Sequence, residues 1–251
     1  MDAPEIFKSA YEKLWALVAE KRIALPGRFL PYNHPSESKD AIYSLQEGEF
    51  TRELLNSINQ FSTRLNQLVL WEEVLSNYGE DQALELRLEF TSLILYYCLH
   101  QPYEFRSRLI FAATGLCYTN GIDRKLLTKS DVRNDDDINF ESLNKVVKHW
   151  QSGNALREAI QELNGKEFRD RTNNYRNRTQ HRVPPGVDYG HTNVIERTFP
   201  PGARVAYSFG QAAPLATKNL IPLLVGELNL MIGAFEAYRR LIDEHTKPHE
   251  T

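Results

Sequence analysis

Between Ile221 and Ile242 the apolar residues Ile221, Leu224, Leu228, Met231, Phe235, Tyr238 and Ile242 recur at spacings of 3, 4, 3, 4, 3 and 4. That rhythm is the seam of a helix packed lengthwise against other helices, and no strand, with its period of two, can satisfy it. Gly226 and Gly233, seven residues apart, would let a neighbour approach closely. The longest apolar stretch, Leu220 to Phe235, is interrupted by Glu227 and Asn229. A bilayer span needs about 20 apolar residues, so a core helix is expected here and not a membrane anchor.

The same period governs most of the chain. Residues 4 to 21 read as an amphipathic helix with Pro4 in its first turn, followed by a breaker-rich connector from Leu25-Pro26-Gly27 through Pro31 and Pro35. From Glu49 to Tyr78, Leu54, Ile58, Phe61, Leu65, Leu68 and Leu75 line one face, and Asn77-Tyr78-Gly79 ends the helix. The next helix is expected to start with Asp81 as N-cap and to bury Leu84, Leu88, Thr91, Leu95 and Leu99. Pro102 should kink or break it, and Asn120-Gly121 should supply a left-handed stop. A solvated acidic loop follows over Asp131 to Asp137, then a short helix from Asn139 to Trp150. Residues 153 to 182 are helical with a break at Asn164-Gly165, and Val183 before Pro184-Pro185-Gly186 is pushed out of the helical region.

Between 192 and 209 the pattern changes. Val194 to Phe199 and Arg204 to Phe209 are β-branched or aromatic runs around Pro200-Pro201-Gly202, which predicts a small β-hairpin. The reading is a single all-α domain, an up-and-down multi-helix bundle. Its parts are an N-terminal helix and connector (1–45), bundle helices (46–182), a loop and hairpin (183–209) and a C-terminal helix (211–245).

Composition narrows function by exclusion. With 251 residues, 41% hydrophobic and 25% charged, the chain is of ordinary globular type. A formal charge of −3 provides no global basic field, so an anionic partner must meet a local patch. Cys98 and Cys117 lie in apolar helical stretches without a CxxC pattern, which predicts reduced, buried thiols. No basic segment followed by an apolar one opens the chain, so a cytoplasmic protein without membrane contact is expected. An inward-facing Glu-x-x-His metal pair is missing; Asp188-x-x-His191 is the nearest approach and lies in a loop. Phosphate-loop, dinucleotide, serine-hydrolase and HExxH patterns are absent. Neither a metal nor a cofactor is expected.

The patch itself is Lys166 to Arg182. It holds six basic residues (Lys166, Arg169, Arg171, Arg176, Arg178 and Arg182) against Glu167 and Asp170. On one helix Asn173, Asn177 and His181 would line a stripe, with Arg169 and Arg176 beside it. Arg171, Tyr175, Arg178 and Arg182 would form the adjacent stripe. Such a helix is either a solvated face or a polar site suited to phosphate, which arginine grips with a planar, permanently charged fork.

Arg176-Asn177-Arg178-Thr179-Gln180-His181 resembles the Arg-x(4–6)-His signature of the HEPN superfamily, with polar Asn177 after the arginine. Arg28 with His34 and Arg239 or Arg240 with His245 share the spacing, but the first crosses Pro31 and the others sit near a polar end. The resemblance implies an all-α HEPN-type bundle and a homodimer whose two Arg/His pairs face one cleft. It further implies metal-independent RNA cleavage in a toxin or defence setting, where an antitoxin or another protein partner is expected. In that reading His181 is the acid/base and Arg176 the phosphate clamp. Asn173 and Asn177 orient the histidine or hold phosphate, while Tyr175, Arg178, Arg169 and Arg182 contact RNA. The alternative is a non-catalytic bundle binding nucleotide, RNA or a protein partner. HEPN domains are commonly shorter, so residues 1–45 and the 192–209 segment stand as additions.

Overall fold

The three-four spacing condenses into helices along most of the chain. The computed structural model describes residues 3–21, 25–32, 40–190, 195–199, 201–202, 205–209 and 213–247. The first helices are α1 (Ala3–Lys21), α2 (Ala41–Leu75), α3 (Glu80–Leu86), a π-turn (Arg87–Thr91) and α4 (Ser92–Asp123). After them come α5 (Phe140–Val147), α6 (Gly153–Glu162), α7 (Lys166–Arg171) and α8 (Tyr175–His181). Strands β1 (Ile195–Thr198) and β2 (Ala206–Phe209) precede the last helix, α9 (Thr217–Thr246). The architecture is predominantly helical. β1 and β2 pair antiparallel, Ile195 opposite Phe209 and Thr198 opposite Ala206. Val194, Pro200 and Arg204 of the expected hairpin, His191 of the Asp-x-x-His pair, and connector residues 33–39 with His34 and Pro35 lie outside the described residues.

The chain divides into two compact units, one of residues 1–26, 64–100 and 166–225, the other of 27–63, 101–165 and 226–251. In the first, Ile6, Ala10 and Leu14 of α1 pack with Leu70, Trp71, Val74 and Leu75 of α2 and Leu86 of α3. Trp71 stacks on Phe90 with ring centroids 4.7 Å apart.

The helix after Gly79 departs from its expected phase. Leu84 and Leu88, assigned to the core by periodicity, are 38% and 51% exposed, whereas Leu86, Thr91, Leu95 and Leu99 are buried. The π-turn is the cause. Ser92 N–H reaches back five residues to the Arg87 carbonyl, so one extra residue enters the turn and the residues before it rotate off the later face. The helix starts at Glu80 after Gly79, one residue ahead of the expected cap Asp81. Pro102 does not break α4, which runs through it. Leu99 and Phe105, on either side of it in sequence, are both buried. The left-handed stop is Lys125 (φ 58°), not Asn120-Gly121. Lys125 N–H bonds to Ile122 O and Leu126 N–H to Gly121 O, the paired closure of a Schellman end. Gly121 serves close approach instead, since a Cβ there would lie 2.6 Å from Leu127 Cδ1.

Of the α9 seam, Leu224, Leu228, Met231, Phe235, Tyr238 and Ile242 are buried and Ile221 half-buried. Among the described residues α9 is long and apolar enough to cross a membrane, with mean hydropathy 1.5 over an 18-residue window. Half of that window is buried inside the protein. A Cβ at Gly226 or Gly233 would meet nothing within 4 Å, so close approach is not what these glycines serve within the chain. Gly226→Ala and Gly233→Ala should each stabilise by about 0.5–1 kcal/mol through helix propensity, read as a higher urea midpoint at unchanged slope.

In the second unit, buried Glu227 on α9 accepts the Asn164 N–H at 3.0 Å, at the left-handed residue (φ 51°) that ends α6. Burial raises its carboxyl to about 7, although the Asn164 hydrogen bond pulls the other way. The unfolded chain would ionise near 4.5. Its stabilising share is therefore complete below about 4.5 and lost as pH rises through about 7. Glu227→Gln keeps the acceptor and cannot ionise. Denaturant unfolding should show it more stable than native by about 1–3 kcal/mol at pH 9 and little changed at pH 5. A gap that does not widen with pH would show that Glu227 is ionised in the fold throughout.

Candidate functional site

The basic run divides where its asparagines fall. Asn173 and Asn174 both take φ of 52°, a left-handed conformation that asparagine tolerates, and they separate α7 from α8. Asn174 N–H closes on the Arg169 carbonyl at 2.6 Å. Buried Phe168 and Thr172 anchor α7, with Thr172 Oγ1 donating to Phe168 O at 2.7 Å. Asn173 is thus off the helix that carries Asn177 and His181, and the expected three-residue stripe does not form.

The charges divide as well. On α7 Lys166 pairs with Asp170 and Arg171 with Glu167, each one helical turn apart. On α8, Arg178 Nε donates to the Val183 carbonyl at 3.1 Å and closes the helix end. Tyr175, Arg176, Asn177 and Arg178 are half-buried, while His181, Arg182 and Arg169 are exposed. Five residues of helix set Arg176 and His181 about 140° apart around the α8 axis.

Tyr175 connects this helix to a neighbouring cavity of the same unit. Its ring stands edge-on to His100 at 5.8 Å, and His100 lies on Tyr96 at 4.2 Å. Burial raises the Tyr175 phenol, the Thr179 hydrogen bond opposes this, and the nearby Tyr96 and Tyr189 phenols add to the rise. The cavity, of about 160 Å³, is walled by Arg87, Thr91, Ser92 and Leu95, by Tyr175, and by the loop Pro185 to Tyr189. Arg176 and His181 are not among its lining residues.

Below it lies a charge network that sequence periodicity did not reveal. Arg87 grips Glu72 through both Nη atoms and reaches Asp188 Oδ2 at 3.0 Å. Asp188, itself left-handed (φ 57°), accepts the Thr217 N–H at 2.8 Å and the Thr217 hydroxyl, thereby capping α9. The loop is pinned further by Asp188 N–H to Leu215 O and Leu215 N–H to Gly186 O, at 2.8 and 2.9 Å. Burial works against the Arg87 charge, but its two carboxylates outweigh that and raise its pKa. The sequence signals for this region were Pro184-Pro185-Gly186, which marks a loop, and Asp188, singled out only as the acid of an Asp-x-x-His pair; neither says what the loop holds.

Cys98 and Cys117 are buried, and burial pushes the Cys98 thiol up to about 12 and the Cys117 thiol well above its usual range. Among the described residues no group of three or more His, Cys, Asp and Glu side chains is placed to hold a metal ion. Comparison of the chain with protein-family models, with curated proteins and with solved structures finds no match.

Proposed function

We propose that the protein is a HEPN-like, metal-independent endoribonuclease of the cytoplasm, acting as a homodimer in a toxin or defence context. What supports the reading most is His181, exposed in the last turn of a short helix that also carries Arg176, Asn177 and Arg178. An imidazole there is open to a ligand, and imidazole is a group that can both give and accept a proton.

In the reaction the RNA 2′-oxygen forms a bond to phosphorus while the bond to the 5′-oxygen breaks. One proton leaves the 2′-oxygen and one arrives on the 5′-oxygen, leaving a cyclic phosphate and a 5′-hydroxyl. His181 protonates the departing 5′-oxygen as general acid, and solvent water takes the proton from the 2′-oxygen. Arg176 binds the non-bridging oxygens and holds them more strongly as charge develops. The angular separation of Arg176 and His181 is bridged when the two come from different copies. That separation also favours the second reading, a bundle that binds RNA, nucleotide or a protein partner through α8 without chemistry.

The test is cleavage of RNA in excess EDTA by the native chain, Arg176→Ala and His181→Ala, with folding followed by circular dichroism. Cleavage that both substitutions remove is the expected result. A well-folded native protein that cleaves no RNA would sink the enzymatic reading.

A further inference from the structure

We infer that the cavity between α4, Tyr175 and the Pro185–Tyr189 loop holds one nucleobase bearing an exocyclic amino group, read by Asp188 and stacked on Tyr189. This rests on the RNA-directed reading of α8, which it deepens by giving the helix a base-specific neighbour.

Size comes first. A cavity of about 160 Å³ is small beside drug-sized pockets, so it admits a single ring system and leaves ribose and phosphate outside. Its walls then choose the ring. Tyr175 and Tyr189 are aromatic lining residues, and Leu95 is an apolar one. Unstacked bases are held in such surroundings by stacking and by hydrogen bonds to their edges. Tyr189 is 41% exposed, so a base can reach its ring from solvent.

Charge decides what does not enter. Arg87 carries one positive charge against the two negative charges of Glu72 and Asp188, so the cluster is net negative and repels phosphate. The same cluster selects a hydrogen-bond donor. A carboxylate has about four acceptor sites. Asp188 uses three of them, for the Thr217 N–H, the Thr217 hydroxyl and Arg87, which leaves one on Oδ1. An amino group of adenine, cytosine or guanine matches that site. Uracil offers a single N–H flanked by two carbonyl oxygens, which the carboxylate repels.

Position ties the cavity to the motif. Tyr175 lines it and immediately precedes Arg176 in α8. A base seated there lies beside the helix that carries the residue assigned to clamp phosphate.

Calorimetric titration of the full chain in EDTA with AMP, CMP, GMP, UMP and inorganic phosphate tests the assignment. The three amino-bearing nucleotides should bind about tenfold or more tightly than UMP. Tyr189→Ala, at an exposed position, should weaken them about tenfold through lost stacking. Asp188→Asn, which presents a donor, should shift the preference toward UMP. Because Asp188 also anchors its loop, the Tyr189 variant keeps the test decisive if the Asp188 variant fails to fold.

Equal binding of all four nucleotides and phosphate would overturn the inference, as would no binding of any nucleotide or a Tyr189→Ala titration matching native. Selective, Tyr189-dependent binding without RNA cleavage would support the pocket and sink the enzymatic reading. RNA cleavage without base preference, unaffected by Tyr189→Ala, would support that reading and sink the pocket.

Discussion

Lowering the pH from 7 to 4 should cost the native protein roughly 3 kcal/mol more stability than it costs His245→Gln. His245 is buried near the end of α9, with Tyr43 Oη at 2.8 Å from Nδ1 and the Trp150 ring at 4.7 Å. Burial is the main reason its pKa falls from 6.5 to about 3, and the Arg124 guanidinium lowers it further against a smaller opposing pull from Glu244. Arg124 is there for another purpose. Its Nη2 donates to the carbonyls of Glu244, His245 and Lys247 and so closes the end of α9. The unfolded imidazole takes up its proton near 6.5, while the folded one does so only near 3. Stability from this group is therefore complete above about 6.5 and drains away as pH falls toward 3. Urea unfolding of both proteins at pH 7 and pH 4 reads the difference. Parallel losses in the two would mean that His245 is protonated in the fold.

Arg176→Ala and His181→Ala should each lower EDTA-resistant RNA cleavage by about 10²–10⁴-fold. The two effects should be far from additive, because groups acting on one transition state fail together. Stability should move little for His181→Ala, which lies at an exposed helix end. If the sites are shared between copies, mixing the two inactive variants should restore part of the activity. A mixed dimer with one intact composite pair would account for it. No recovery on mixing, with dimers present, would place both residues of each pair in one copy.

Much of the helical outline was legible because burial imposes a period. The α9 seam is the clearest case, with six of its seven residues buried where the spacing put them. Asn139 is similarly readable, and its side chain accepts from the Glu141 and Ser142 N–H groups at the start of α5. What failed was phase. A π-turn has no residue signature, so Leu84 and Leu88 kept their spacing in sequence and lost their place in the core. Asn173-Asn174 is subtler, since asparagine is tolerated in helices, yet here both residues take the left-handed conformation. The Arg87–Glu72–Asp188–Thr217 network joins residues far apart in the chain, and no local pattern reports such meetings.

The π-turn also makes one stretch of this protein sensitive to length more than to chemistry. Deleting a single residue within Arg87–Thr91 would allow regular helical bonding and turn α3 by about 100° about its axis. Leu86 would then leave the packing it shares with α1, and Arg87 would swing away from Glu72 and Asp188 together. A one-residue gap is absorbed quietly by most surface loops. Here it would exchange inside for outside over two helical turns while leaving every remaining side chain chemically intact.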